Sequence, residues 1–385
     1  MESKLTSPRK KIGLINMKDN FTYNSNALVM FQELFEAIKL PVDLTEFDAI
    51  NGELPMEQAE RDGFDGFVVV GSAASAYDCE SYPWIPRLEE FIRRAYSKSH
   101  DDNGRESDDD TRGGILGICF GHQVIATALG GQVIKNPAGL FSAACSFTPT
   151  AAGRAFLLGQ PEGPAAPSSP APKASDAAAA AHTSDAAAAA HTSDAASATA
   201  RPSQGSAQDA TAASSDEATA GSCTLLYHHN DIVSALPPDL LRSGRAVCLG
   251  SSPTNPVHAA VYLSRASAAA TTPAPGSAPA PATPHSSDPL DSSDETPAPP
   301  GAPPPSHSEQ ATATRRAVVR AVTFQAHPEF SAPRGLQVLR DIMRSRDLPV
   351  MGVEWYDERL SSIGSERDQW KDLARAAVEK LGWFR

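Results

Sequence analysis

Short apolar runs alternate with stretches of helical periodicity over the first hundred residues. Residues 12–16, 42–47 and 64–71 have the composition of strands, and the third run is apolar throughout, as in strands buried on both faces. Apolar residues recur at helical spacing over 25–40 and again over 84–96. This alternation predicts an α/β fold with a doubly wound, mostly parallel sheet flanked by helices.

The segment 114–131, GILGICFGHQVIATALGG, predicts a buried strand that turns directly into a helix at Cys119. A side chain at such a turn projects above the carboxyl end of the sheet, and Gly117 and Gly121 permit the tight backbone passage. The helix N-terminus behind a cysteine favours its thiolate. Cys119 is therefore a candidate nucleophile; the alternative is an ordinary small buried side chain.

Beyond the segment 114–131, the apolar pattern predicts mainly short strands. The pattern predicts strands over 132–134, 145–147, 224–228, 247–249, 258–263 and 317–324. Residues 226–240, LYHHNDIVSALPPDL, predict a strand, a polar turn and the start of a short helix. An amphipathic helix is expected over 366–385, and a charged loop over 98–112.

Two long stretches cannot contribute to a core. Residues 160–221 and 265–314 consist mainly of Ala, Pro, Ser and Thr, and the first contains the repeat SDAAAAAHT at Ser175 and Ser184. Because they lack large apolar residues, nothing offsets the entropy of ordering them, and we predict disordered insertions. The second should interrupt a hairpin, since strand character resumes at 317. The rest of 10–385 is expected to form one domain.

Composition excludes several classes of protein. The chain has 33 basic and 46 acidic residues, a net charge of −13, and no basic stripe with interleaved aromatics, which argues against a nucleic-acid partner. Its five cysteines are scattered, odd in number and without metal-ligand spacing, which indicates neither a disulfide framework nor a zinc site. We expect no metal and no cofactor. The N-terminus has no apolar leader, and no run of 18 apolar residues occurs. We predict a cytoplasmic protein without a membrane partner.

A candidate base and its orienting carboxylate follow the strand 317–324. The sequence QAHPEF puts His327 and Glu329 at the carboxyl end of that strand, the edge where Cys119 is expected. Pro328 disfavours helical geometry at His327, so the two side chains, two residues apart in an extended segment, can face the same side. A cysteine nucleophile needs such a pair. The alternative is a solvated turn that contains an incidental His and Glu.

Five segments together resemble a known family. They are VVVGSAASAYD at 68–78, GICFGHQ at 117–123, HHNDIVSALP at 228–237, SSPTNPVHA at 251–259 and FQAHPEF at 324–330. In order and spacing, with the insertions removed, they resemble class I glutamine amidotransferases, which have a flavodoxin-like fold. The likeness is to stand-alone members similar to plant γ-glutamyl peptidases and fungal amidotransferase-like proteins. It implies that Cys119 is the nucleophile, His327 the base and Glu329 the orienting acid.

The resemblance also implies the other residues of a site. The turn at Gly71 and Ser72 looks like the family's first oxyanion element, whose N–H would act with that of Phe120. Gln123 and the backbone near His229 would hold the glutamyl amino-acid end. The turn reads Gly-Ser-Ala where the family often has Gly-Gly-Pro, but a backbone N–H does not require glycine at a negative φ.

Four functions are compatible with the sequence. We favour stand-alone hydrolysis or transfer at a γ-glutamyl amide through a γ-glutamyl thioester, with a γ-glutamyl peptide, a conjugate or glutamine as substrate. The second is a glutaminase subunit that delivers ammonia to a separate synthetase, because no synthetase domain follows in this sequence. The third is a non-catalytic regulatory module, and the fourth is an interaction scaffold built on the insertions.

Overall fold

The computed structural model describes residues 8–97, 113–160, 222–264, 317–363 and 369–384. The predicted loop over 98–112 and both predicted insertions, apart from residue 160, lie outside the described residues. The strands are β1 (Lys10–Asn16), β2 (Val42–Asp48), β3 (Gly66–Val69), β4 (Gly114–Ile118), β5 (Gln132–Lys135), β6 (Phe141–Pro149), β7 (Cys223–His229), β8 (Asp231–Ala235), β9 (Ala246–Ser252), β10 (Asn255–Leu263) and β11 (Val319–Phe324).

Helices connect and follow these strands. They are α1 (Ala27–Ala37), α2 (Gln58–Arg61), α3 (Ile85–Tyr96), α4 (Phe120–Ala128), α5 (Ala151–Leu157), α6 (Pro238–Arg242), α7 (Pro333–Ile342), α8 (Leu348–Met351), α9 (Val353–Ser362) and α10 (Gln369–Lys380). Short 3-10 turns occur at Asn24–Asn26 and Pro328–Ser331, and a π-helical turn, Met343–Asp347, continues α7. Within the described ranges, no helix is long and apolar enough to cross a membrane.

The central sheet has the strand order β2-β1-β3-β4-β11-β10-β9-β6-β7. The first five strands are parallel, with β4 paired to β3 on one side and to β11 on the other. From β11 onwards the pairing is antiparallel. The structure confirms the predicted doubly wound, mostly parallel central sheet flanked by helices. Because β3, β4 and β11 are parallel neighbours, the loops at their carboxyl ends meet at one edge.

Apolar side chains on the strands and helices form a continuous core. Every residue of β3 and β4 is buried, as expected of strands covered on both faces. The stripe of α3 residues predicted from helical spacing is buried, and α3 packs on α4, while α1 packs on α7. The chain beyond α10 returns to this core. Trp383 is buried against Phe35 and against the backbone of Gly66, where a β-carbon would lie 2.4 Å from its indole nitrogen.

Two parts of the fold differ from the sequence-based expectations. The polar turn expected after β7 contains a strand, β8, which pairs with β5 in a separate two-stranded sheet. The apolar residues Ile232 and Val233 gain partners in β5, and this pairing overrides the local turn signal. Residues 333–362, where no element was predicted, form α7, the π-helical turn, α8 and α9. The predicted hairpin of β10 and β11 is confirmed as an antiparallel pair.

Candidate active site

Cys119 lies between β4 and α4 in a conformation that few residues adopt. Its backbone has φ 51° and ψ −103°, in the positive-φ region that costs free energy for a side-chain-bearing residue. Its N–H donates to the carbonyl oxygen of Phe324 at 2.8 Å, which extends the pairing of β4 with β11 into the turn. A strained strand-to-helix turn of this kind exposes a nucleophile above the sheet.

Two glycines make this turn possible by allowing close packing of the backbone. A β-carbon at Gly121 would lie 2.0 Å from the carbonyl oxygen of Val69 in β3. One at Gly117 would lie 2.6 Å from the side chain of Ile125 and 2.9 Å from the carbonyl oxygen of Gly121. Any side chain would therefore move α4 away from the sheet, and with it Cys119. The glycine spacing seen in the sequence has a steric cause.

The sulfur of Cys119 has polar neighbours on two sides. Its Sγ lies 3.8 Å from the carbonyl oxygen of His228. The side-chain amide of Gln325 donates to the same Sγ at 3.7 Å. An amide donor next to a sulfur favours its negatively charged form. Cys119 is 5% exposed, so the thiol is accessible only through the cavity described below.

His327 and Glu329 follow β11 and are in direct contact. Nδ1 of His327 donates to Oε1 of Glu329 at 2.7 Å, and both side chains are buried. The expectation that both lie in an extended segment is wrong. His327 has φ −114° and ψ 82°, but Pro328 begins a 3-10 turn that contains Glu329. Proline is favourable at the first helical position, so the carboxylate folds back towards the ring within one turn.

The imidazole of His327 is held in its charged form. Burial alone would lower the pKa of His327, but the negative charges of Cys119 and Glu329 outweigh it and raise that pKa from 6.5 to about 10. The ring also stacks on Phe330, with centroids 4.2 Å apart. At neutral pH the ring of His327 is therefore an imidazolium.

Tyr23, in the loop after β1, reaches the same carboxylate. Its hydroxyl donates to Oε1 of Glu329 at 2.7 Å and accepts the backbone N–H of Gly71 at 3.2 Å. Burial and the charge of Glu329 raise the pKa of Tyr23 well above 10, so the phenol stays protonated. The ring of Tyr23 meets that of His327 edge-on, with centroids 5.3 Å apart.

The turn at Gly71 and Ser72 lines the same cavity as Cys119. A β-carbon at Gly71 would lie 3.0 Å from the ring of His327, which explains the glycine. The N–H of Gly71 is engaged by Tyr23, so among the two expected donors of this turn only Ser72 is open to a ligand. Phe120 is the first residue of α4, where an N–H has no acceptor within the helix.

Gln123 and His229, the residues expected near the glutamyl end, both line the cavity. The side-chain amide of Gln123 donates to the carbonyl oxygen of Asp231 at 2.9 Å, so this N–H holds the start of β8. Nδ1 of His229 lies 3.0 Å from the same carbonyl, which can only accept, so Nδ1 carries a proton. Burial lowers the pKa of His229 well below 6.5, and its ring is neutral.

A cavity of about 210 Å³ opens over Cys119 and His327. Its wall carries charges of both signs. Asp231 is buried there and accepts hydrogen bonds from the hydroxyls of Ser75 at 2.6 Å and Tyr77 at 3.3 Å. The exposed cations Lys135 and Arg346 also line it.

The cavity wall also includes a contact between a histidine and a carboxylate. Nε2 of His228 lies 3.2 Å and 3.0 Å from the two carboxylate oxygens of Asp347, which ends the π-helical turn after α7. This contact attaches β7, whose His228 carbonyl faces Cys119, to the helical segment after β11. Among the described residues, no group of three or more His, Cys, Asp or Glu side chains has the geometry of a metal site.

The structure thus brings together the candidate site residues that the sequence singled out, and it adds others. Tyr23, Gln325 and Asp231 contact the candidate site but were missed. Gln325 and Asp231 lie next to recognised residues in the motifs FQAHPEF and HHNDIV, so those motifs could have indicated them. Tyr23 carries no local signal, and only its place after a parallel strand could have pointed to the ligand-binding edge of the sheet.

Comparisons with known proteins find similarity to glutamine amidotransferases and γ-glutamyl peptidases. A family model described as glutamine amidotransferase class-I matches residues 104–150. γ-Glutamyl peptidase 4 of Arabidopsis thaliana is 35% identical over 89 residues, 23% of this chain and 29% of that protein. γ-Glutamyl peptidase 5 of the same plant is 33% identical over 94 residues, 24% of this chain and 31% of that protein. These alignments span less than a third of the plant proteins.

A solved structure extends the similarity to the whole fold. The crystal structure of a glutamine amidotransferase from Thermotoga maritima superimposes with a TM-score of 0.52 at 14% sequence identity, over 97% of this chain and 98% of that one. At this identity the match concerns the fold alone. The chain therefore has the fold of that glutamine amidotransferase.

Proposed function

We propose that this chain, which has the fold of class I glutamine amidotransferases and matches their family model over residues 104–150, is a thiol enzyme that hydrolyses γ-glutamyl amides. One observation carries the proposal. Cys119, in a strained strand-to-helix turn, shares a cavity with an imidazole that Glu329 orients at 2.7 Å and whose pKa is raised to about 10. Nucleophilic catalysis by cysteine requires this combination.

The reaction follows from the charge state of the pair. The thiolate of Cys119 attacks the γ-carbonyl carbon, and the carbonyl oxygen takes up the negative charge between the N–H groups of Ser72 and Phe120. His327 donates its proton to the leaving nitrogen as the C–N bond breaks, which releases an amine and leaves a γ-glutamyl thioester. The neutral imidazole then takes a proton from water, and the resulting hydroxide attacks the thioester. Glutamate leaves, and the thiolate and imidazolium are restored.

Charged groups around the cavity suit a γ-glutamyl substrate. The buried carboxylate of Asp231 complements an α-ammonium group, and Lys135 or Arg346 complements a carboxylate. Glutamine has one carboxylate, whereas a γ-glutamyl peptide has a second one in its leaving group. The two cations therefore favour a γ-glutamyl peptide or conjugate as the substrate, and similarity to the plant peptidases supports the same choice.

The alternative is a glutaminase subunit that transfers ammonia to a separate synthetase, and similarity to the glutamine amidotransferase family favours it. Both functions use the same thioester, and they differ in the leaving group. A glutaminase that supplies a partner is expected to be slow by itself, whereas a peptidase must work alone.

Incubation of the isolated protein with glutamine, glutathione and a γ-glutamyl conjugate tests the proposal, with ammonia and free glutamate measured separately. We expect glutamate from the peptide substrates to form faster than ammonia from glutamine. A protein that is inert on all three and gains glutaminase activity only with a synthetase would support the alternative instead.

A further inference from the structure

The carboxylate of Glu329 has an unusual set of contacts. Its Oε1 accepts two hydrogen bonds, from Nδ1 of His327 and from the hydroxyl of Tyr23, each at 2.7 Å. Its Oε2 is buried and has no hydrogen-bond partner in the described part of the chain. A carboxylate that orients an imidazole needs an anchor other than that imidazole. In the described chain Tyr23 provides it.

Tyr23 also fixes the turn on the other side of the cavity. Its hydroxyl accepts the N–H of Gly71 at 3.2 Å. The next residue, Asn24, donates its side-chain amide to the carbonyl oxygen of Gly71 at 2.9 Å. Consecutive residues of one loop therefore hold both polar groups of Gly71. Because the N–H of Gly71 donates to Tyr23, the N–H available to a ligand at this turn is that of Ser72.

We propose that Tyr23 is a positioning residue that fixes Glu329, and through it His327, and joins this pair to the turn at Gly71. The single phenolic oxygen does both because it donates its proton to the carboxylate and accepts the Gly71 N–H on a lone pair. Its position in the loop between β1 and α1 brings a third segment of the chain to the site. The role in hydrolysis rests on the proposed function, but the effect on the Cys119–His327 pair does not.

The rate at which iodoacetamide alkylates Cys119 at pH 6 reports on the Cys119–His327 pair in the absence of a substrate. Only a thiolate reacts with this reagent, so the alkylation rate reports on how the imidazolium of His327 is held beside Cys119. In Tyr23→Phe the rings keep their packing and the hydroxyl is lost. Because Glu329 then loses its anchor, we expect the alkylation rate, followed by mass spectrometry of the Cys119 peptide, to fall about three- to tenfold. In Glu329→Gln we expect a fall at least as large.

The double variant separates positioning from a general structural effect. If Tyr23 acts through Glu329, Tyr23→Phe with Glu329→Gln should react no more slowly than Glu329→Gln alone. Tyr262→Phe is the matched control, since Tyr262 is buried in β10 and its hydroxyl has no partner in the described residues. It should react at the wild-type rate. A Tyr23→Phe rate equal to wild type, or losses that multiply in the double variant, would overturn the assignment.

A second variant keeps the test decisive if Tyr23→Phe folds poorly. 3-Fluorotyrosine at position 23 retains the hydroxyl, so we expect it to keep the alkylation rate within about twofold of wild type. A loss as large as that of the Phe variant would show that the ring environment, and not the hydroxyl, matters. Glutathione hydrolysis is measured in parallel. A wild type that alkylates rapidly at Cys119 but releases no glutamate would refute the proposed function and leave the result for Tyr23 intact.

Discussion

At the scale of single residues, the candidate site depends on the charge of the buried imidazole of His327. Burial opposes a charged imidazole, yet the negative charges of Cys119 and Glu329 raise the pKa of His327 to about 10. In the proposed reaction, His327 therefore already carries the proton that goes to the leaving nitrogen.

This charge state predicts the pH dependence of catalysis. Because the protonated imidazole is the competent acid and its pKa is raised, activity should persist well above pH 6.5 and fall only as pH rises through about 10. In Glu329→Gln one of the charges that raise this pKa is removed, so the alkaline limb should move to lower pH. The measurement is kcat/KM for glutathione between pH 5 and 11. A wild-type alkaline limb near pH 6.5 would contradict the assigned charge state.

The raised pKa of His327 also makes the stability of the fold depend on pH. Because the pKa of His327 is higher in the folded chain than in the unfolded chain, its protonation contributes stability that is fully present below about pH 6.5 and is lost as pH rises through about 10.

The sequence was sufficient for residues whose role depends on their own neighbours along the chain. Cys119 was predictable from the strand-to-helix turn and its glycines, and His327 and Glu329 from their place after a strand. Tyr23 was not, because its contact with Glu329 joins residues 306 apart in sequence, and no local pattern encodes that distance. The hydrogen bond from the N–H of Gly71 to Tyr23 could not be predicted from the sequence for the same reason.

At the scale of elements, the turn from β4 into α4 is the most constrained part of the site. The β-carbon that alanine would add at Gly121 lies 2.0 Å from the backbone of Val69, so α4 or β3 would have to shift. Elements that the sequence predicted well, such as α1 and α3, have a clear apolar stripe. β8 was missed because its polar neighbours resemble a turn, and its pairing with β5 involves residues far away in sequence.

We predict that Gly121→Ala destabilises the fold and impairs the site. Overpacking against backbone should cost about 1–3 kcal/mol in the free energy of unfolding, measured by denaturant titration. Thr127→Ala on the same helix is the control, since Thr127 is half-buried and its hydroxyl bonds only within the helix, to Val124. It should cost less than about 1 kcal/mol. Equal stability of Gly121→Ala and wild type would contradict the close approach of α4 to β3.

At the scale of the whole molecule, the candidate site lies at one edge of the central sheet. The long stretches of Ala, Pro and Ser are inserted in the sequence between strands of that sheet. The strands on either side of residues 265–316 are already joined by hydrogen bonds. The N–H of Ser264 donates to the carbonyl oxygen of Val318 at 2.8 Å, and the N–H of Val318 donates to the hydroxyl of Ser264 at 3.1 Å. The geometry at this point is that of a hairpin end, which a short turn can close.

We therefore predict that residues 266–316 can be replaced by a four-residue turn containing Asn-Gly. The melting temperature should stay within about 5 °C of wild type, because β10 and β11 keep their pairing, and glutathione hydrolysis should stay within about threefold. Circular dichroism and the glutamate assay measure the two outcomes. Loss of a cooperative melt would show that the removed residues contribute to the fold.

The central claim is that Cys119 forms the bond to the γ-glutamyl group, and labelling with a glutamine-analogue diazo-ketone tests it most directly. We predict one adduct per chain, mapped to Cys119 by peptide mass spectrometry, with hydrolysis lost in proportion to labelling and both abolished in Cys119→Ala. Cys79→Ala is the matched control, since Cys79 is an exposed cysteine outside the cavity, and should label and react as wild type. Labelling at Cys79, Cys145, Cys223 or Cys248, together with hydrolysis that survives Cys119→Ala, would contradict the account.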